Sequence, residues 1–118
     1  MNKLRQSMLK GILPAVILNM IQKQPMHGYQ IITSIRRQYH VYYGPSTIYP
    51  LLNKLEEEGY IKSEWDLCGR PRKIYTLTSQ GKKYLDEAKA ELRLITSSII
   101  VLEQQEIIKG WILQQTAT

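Results

Sequence analysis

The sequence predicts a mainly α-helical chain with one small β-hairpin, on three observations. Apolar residues recur at helical spacing in short stretches between residues 13 and 58. The period then changes to two over residues 60–78. A longer stretch after residue 78 returns to helical spacing with apolar residues three and four apart.

Taken in order, residues 13–22, LPAVILNMIQ, form a first helix. Pro14 falls in its first turn, where a missing N–H is not needed. An earlier helical turn is expected over residues 4–12, and Gln24-Pro25 breaks the chain. Residues 27–39, HGYQIITSIRRQY, put Ile31, Ile32, Ile35 and Tyr39 on one stripe. Arg36 and Arg37 fall at the C-terminal end of that helix, where its dipole favours cations. After a connection over residues 40–45, a third helix is expected over residues 46–58. Ile48, Leu51, Leu52 and Leu55 follow i, i+3, i+4, i+7, and Gly59 ends the pattern. A start at Ser46 or Thr47 keeps the cost of Pro50 small, whereas a start at Pro45 puts Pro50 beyond the first turn; the later start is expected.

In YIKSEWDLC, Ile61, Ser63, Trp65 and Leu67 alternate with Lys62, Glu64 and Asp66, and Trp65 is expected on the inward, core face. KIYTLT forms the returning strand, and Gly69 and Pro71 mark the turn. Arg70, Arg72 and Lys73 make the tip basic. Thr78 or Ser79 caps a last helix, expected to run to about Lys109, with Gly110 weakening or ending it. In it Leu85, Ala88, Leu92, Ile95, Ile99 and Leu102 alternate spacings of three and four, a seam suited to a second copy of the helix. Packing on its own domain is the alternative for such a seam.

A chain of 118 residues with 43% hydrophobic residues suits one globular fold with a modest core. The net charge of +6 favours an anionic partner, nucleic acid or a membrane surface, against the plainer reading of a basic soluble domain. Residues 1–85 hold 13 Lys/Arg against 5 Asp/Glu, and residues 86–118 hold 3 against 5, so the partner surface belongs to the first part. One cysteine, Cys68, cannot form an intramolecular disulfide and fits a reducing cytoplasm. No apolar run approaches the ~20 residues of a membrane span, and the basic-then-apolar N-terminus, broken by Pro14, reads as part of the fold. No glycine-rich phosphate loop, nucleophile elbow or paired carboxylates are present, so an enzyme is not expected, nor is a cofactor or metal.

Three short helices followed by a basic-tipped hairpin are the winged helix-turn-helix arrangement, whose third helix enters the DNA major groove. On that helix the side opposite the apolar stripe carries Ser46, Pro50, Asn53 and Glu57, flanked by Tyr49 and Lys54. Glu56, Glu57 and Glu58 would be repelled by phosphate, so the small, polar N-terminal half is the end expected to face DNA.

The blocks HGYQI at 27–31, STIYPLLNKLEEEGYI at 46–61 and GRPRKIYTLTSQG at 69–81 resemble the PadR family of transcriptional regulators, in order and spacing, along roughly residues 8–81. The resemblance is to the small subfamily with a single C-terminal helix. It implies a winged-helix DNA-binding domain over 1–80 and a C-terminal dimerisation helix and tail over 81–118. It further implies a cytoplasmic homodimer, usually a repressor, on double-stranded DNA. Ser46, Thr47, Tyr49 and Asn53 would approach base edges; Lys54, Arg70, Arg72 and Lys73 would meet phosphate or the minor groove. Small members that hold drugs between subunits carry a tryptophan in the middle of the last helix. Here the matching stretch, AELRLI, has no aromatic, which argues against that pocket and leaves any small-molecule effector unidentified. A winged-helix module for protein contact or non-specific nucleoid binding is the competing reading.

Other residues have plainer roles. His27 is expected to cap or pack rather than touch a phosphate or titrate near neutral pH, His40 has no assigned role, and the two lie too far apart for a metal site. Tyr39, Tyr42 and Tyr43 serve packing more readily than stacking on bases. Cys68 is an incidental thiol, and Trp111 is left unassigned.

Overall fold

The computed structural model describes residues 2–116; in its last helix the side chains at 101–108, 111 and 114–116 are not described. Its elements are α1 (Lys3–Gly11), α2 (Leu13–Lys23), β1 (Met26–His27), α3 (Gly28–Tyr39), α4 (Pro45–Glu57), β2 (Ile61–Asp66), β3 (Arg72–Leu77) and α5 (Ser79–Thr116). The fold is thus mainly α with a small antiparallel sheet in the order β1-β3-β2, a winged helix-turn-helix followed by a long helix.

The first helix is more than a turn. Asn2 caps α1, its side chain accepting the Arg5 N–H at 2.9 Å. Proline at the start of α2 and an apolar sequence let Leu13, Ile17 and Leu18 bury there. They meet Ile31 and Ile35 of α3, Ile48 and Leu52 of α4, and Ile61 and Tyr75 of the hairpin in one core. Tyr43 is buried as well, its hydroxyl donating to the Gln6 carbonyl, and burial raises its pKa. Tyr39 packs against the same core, while Tyr42 is half-exposed with Arg36 over its ring at 5.9 Å.

The chain divides into two compact units, Met1–Leu85 and Asp86–Thr118. Leu85, expected in the seam of the last helix, is 1% exposed and belongs to the core of the first unit. The heptad pattern gives the same signal for a residue facing its own domain as for one facing a partner. Along the rest of the seam, Ala88 and Leu92 are half-buried, Ile95 and Ile99 are exposed, and Leu102 lies outside the described side chains. α5 does not end at Gly110 but continues to Thr116. Glycine lowers helix propensity by about 1 kcal/mol, and one such residue does not stop a helix of 38 residues.

Two local signals set the ends of the hairpin. Gly59 adopts φ +83, and Tyr60 N–H and Gly59 N–H return to the carbonyls of Leu55 and Glu56, each at 3.0 Å, closing α4 with a Schellman turn. Thr78 Oγ1 donates to the Gly59 carbonyl at 2.6 Å and accepts the Gly81 N–H at 3.0 Å, capping α5. Among the described residues, no helix is long and apolar enough to cross a membrane.

Candidate nucleic-acid interface

α4 begins at Pro45, not at Ser46 or Thr47. Gly44 is its cap residue, and proline is pre-organised for the first helical position. Pro50 therefore lies in the helix interior, with no N–H for the Ser46 carbonyl one turn earlier. The opening turn also differs from an empty anion cradle. Pro45 has no N–H, and Thr47 and Ile48 give theirs to the Gly44 carbonyl at 3.0 Å. The dipole remains, but most of the amides are already engaged.

With Ile48, Leu52 and Leu55 buried, the other face of α4 is turned to solvent: Ser46, Tyr49, Asn53 and Lys54 are exposed and Thr47 is half-buried. Of the three glutamates, Glu57 and Glu58 are exposed, whereas Glu56 accepts the Ser63 hydroxyl at 2.6 Å and braces α4 against β2.

The hairpin registers Ile61 with Leu77, Ser63 with Tyr75 and Trp65 with Lys73. These three pairs share one face. The first two cover core, but the strands outrun it, so Trp65 is 62% exposed and Leu67 73% exposed. The expectation of a core Trp65 fails for that reason: alternation identifies the face of a strand, not where the core beneath it ends. Instead the Lys73 ammonium sits 5.8 Å from the centroid of the Trp65 ring. Arg70 and Arg72 are exposed at and beside the tip.

The third strand, β1, was not expected. Met26 and His27 pair with Tyr75 and Ile74, which ties the entry of α3 to the hairpin. His27 is 8% exposed and forms the joint. Its Nε2–H donates to Asp66 Oδ2 at 3.0 Å, and its backbone N–H donates to Gln30 Oε1 at 2.8 Å, an oxygen that also lies 2.8 Å from Nδ1. Asp66 Oδ1 accepts the Cys68 N–H at 3.1 Å. The bond from His27, then that from Cys68, hold the Asp66 carboxyl below its usual pKa.

Next to His27, Gly28 makes room for Tyr49. A Cβ on Gly28 would stand 2.6 Å from Tyr49 Cε1 and 2.7 Å from its Cζ and hydroxyl oxygen. The ring thus rests on the bare backbone at the start of α3, near Tyr75, whose pKa is raised by burial and then by Glu56 and Tyr49. A cleft of about 340 Å³ opens at this junction, walled by Tyr29, Tyr49, Asn53, Trp65, Arg72 and Lys73 over His27, Gly28 and Tyr75. It brings together Tyr49, Asn53, Arg72 and Lys73 of the residues expected at DNA; Ser46, Thr47, Lys54 and Arg70 are not among its walls. Gly28, Trp65 and the His27–Asp66 pair had no functional role in the sequence reading.

The family model described as "Transcriptional regulator PadR-like family" matches residues 17–87. The chain belongs to the PadR-like family of transcriptional regulators. That stretch holds α3, α4 and the hairpin, hence every wall of the cleft. Among similar proteins, Transcriptional regulator YqjI of Escherichia coli is 33% identical over 91 residues, covering 75% of this chain and 43% of its own length. Negative transcriptional regulator PadR of Bacillus subtilis is 32% identical over 80 residues, covering 64% of this chain and 44% of its own. The chain thus spans less than half the length of both relatives. A crystal structure of a PadR-like transcriptional regulator from Bacillus cereus superposes with a TM-score of 0.75 at 29% identity, covering 83% of this chain and 97% of that one. The winged-helix expectation for this PadR-like chain is borne out by fold and family together.

Proposed function

We propose that this PadR-like chain is a sequence-specific, double-stranded DNA-binding repressor that acts as a cytoplasmic homodimer on a palindromic operator. The observation that carries the reading is the junction of the exposed polar face of α4 with the basic side of the hairpin. In a winged helix these are the two parts that approach a duplex, the helix in the major groove and the hairpin along the backbone. Tyr49 and Asn53 would approach base edges together with Ser46 and Thr47. Lys54, Arg70, Arg72 and Lys73 supply phosphate contacts. The surplus of basic residues in residues 1–85 supports an anionic partner for that unit.

Repression is supported by the name of the Bacillus subtilis relative, a negative transcriptional regulator. The homodimer is supported by α5, where Leu94, Ile95, Ile99 and Ile100 are 50–66% exposed in the single chain. The seam available for pairing starts at Ala88, since Leu85 is committed to its own core. Two-fold symmetry would set the recognition helices about one duplex turn, ~34 Å, apart.

The test compares salt dependence with sequence preference. Arg72→Ala should weaken binding to every duplex and lower the slope of log K against log salt by about one. Asn53→Ala should mainly relax the preference for one sequence. An unchanged slope for Arg72→Ala would remove the hairpin from the interface. Loss of both effects, with protein partners retained, would favour a protein-interaction module instead.

A further inference from the structure

The cleft beside the outer half of the hairpin has chemistry that base readout and phosphate pairing leave unused. Its walls include three aromatic rings, of which Tyr29 is 67%, Trp65 62% and Tyr49 40% exposed. Trp65 is exposed yet not without a neighbour: the register sets it opposite Lys73, whose ammonium stands over its ring. The space is a solvent-open groove of about 340 Å³. The acidic group at this corner, Asp66, is already engaged by His27 and by the Cys68 N–H, with Arg72 acting on it as well, so its charge is largely answered within the fold.

Position then selects the occupant. One wall comes from α4, which in the DNA-binding reading enters the major groove, one from the hairpin, which there lies along the neighbouring backbone or minor groove, and Tyr29 adds a third side from the start of α3. What separates those two grooves on any duplex is a single sugar-phosphate strand. We infer that the cleft straddles this strand, with Trp65 and Tyr29 packing on a deoxyribose and Arg72 and Lys73 taking its phosphate. The inference rests on the DNA-binding reading and adds to it an apolar, sequence-independent contact centred on Trp65. Such a contact contributes affinity without releasing counterions.

The experiment measures binding of specific and scrambled duplexes and of a single strand by anisotropy at several salt concentrations, for the full chain and for Trp65→Ala and Trp65→Phe. A parallel titration follows tryptophan emission in a Trp111→Phe background, where Trp65 is the one tryptophan left of two. Trp65→Ala is expected to weaken binding to specific and scrambled duplexes alike by about tenfold, with the salt slope unchanged. Trp65→Phe should stay within about threefold of the parent, and duplex should change the Trp65 emission. Because Trp65 is exposed, circular dichroism should show the variants folded as the parent. If the parent binds duplex but Trp65→Ala binds equally well, the sugar seat is wrong while the DNA-binding reading stands. If Trp65→Ala loses affinity for single strands more than for duplex, the ring stacks on a base and the seat is again wrong. If the parent binds no duplex at all, the underlying reading fails and takes the seat with it.

Discussion

Gly28→Ala separates function from stability with one methyl group. The new Cβ would lie 2.6–2.7 Å from two ring carbons and the hydroxyl oxygen of Tyr49, where carbon contacts need about 3.5 Å or more, so the ring must move by roughly 1 Å. The backbone itself has little reason to object. Gly28 is the first residue of α3 and its φ is not in the left-handed region, so alanine costs no strain and gains up to ~1 kcal/mol of helix propensity. Stability should therefore stay within about 1 kcal/mol of the parent, read by chemical denaturation. Binding should fall by roughly tenfold, about 1.4 kcal/mol, because Tyr49 leaves the place from which α4 presents it. A double-mutant cycle makes the test strict: in a Tyr49→Ala background the same Gly28→Ala change should have no effect on binding. Parent-like binding by Gly28→Ala, or an equal loss in both backgrounds, would refute the claim that Gly28 acts by seating Tyr49.

Leu85→Ala should destabilise the fold by ~2–5 kcal/mol in thermal or chemical unfolding, since the side chain is 1% exposed. Ile95→Ala and Ile99→Ala should spare the fold of unit Met1–Leu85 and instead raise the concentration at which sedimentation shows dimers. Pro50→Ala should raise stability by about 1–3 kcal/mol by restoring a helix bond to the Ser46 carbonyl; a loss would show that the proline is needed for packing. Asp66 has a lowered pKa in the fold, so its contribution is present above its unfolded value of ~3.9 and is lost as pH falls through the lower folded value. Unfolding curves for Asp66→Asn should thus fall below the parent at neutral pH and converge with it in acid. Convergence at neutral pH instead would show the His27–Asp66 joint to be inert.

The outline of the fold was readable because its signals are local. The helical stripe of Ile48, Leu52 and Leu55, the Gly59 terminus and the Thr78 cap each depend on residues within a few positions of one another. What escaped is tertiary. His27 and Asp66 are 39 residues apart in the chain, and Gly28 meets Tyr49 only after α3 and α4 have packed. β1 has two residues, too few to show any period. A period of two identifies the face of Trp65 but not its depth, and a heptad spacing identifies the side of Leu85 but not what covers it. At the start of α4 the preference of Pro45 for a first turn outweighs the cost of Pro50 in the interior, and the sequence alone does not rank the two. The cleft at the candidate interface was therefore half legible, through Tyr49, Asn53, Arg72 and Lys73, while the residues that hold it open were not.

The central claim is tested most directly by fluorescence anisotropy of the purified chain. Duplex DNA from upstream of its own gene is compared with a scrambled duplex at two salt concentrations near physiological. The account predicts a preference of ~10³-fold or more for the upstream DNA, with two chains per duplex. Equal, steeply salt-dependent binding to both duplexes, or no binding to either, would contradict it.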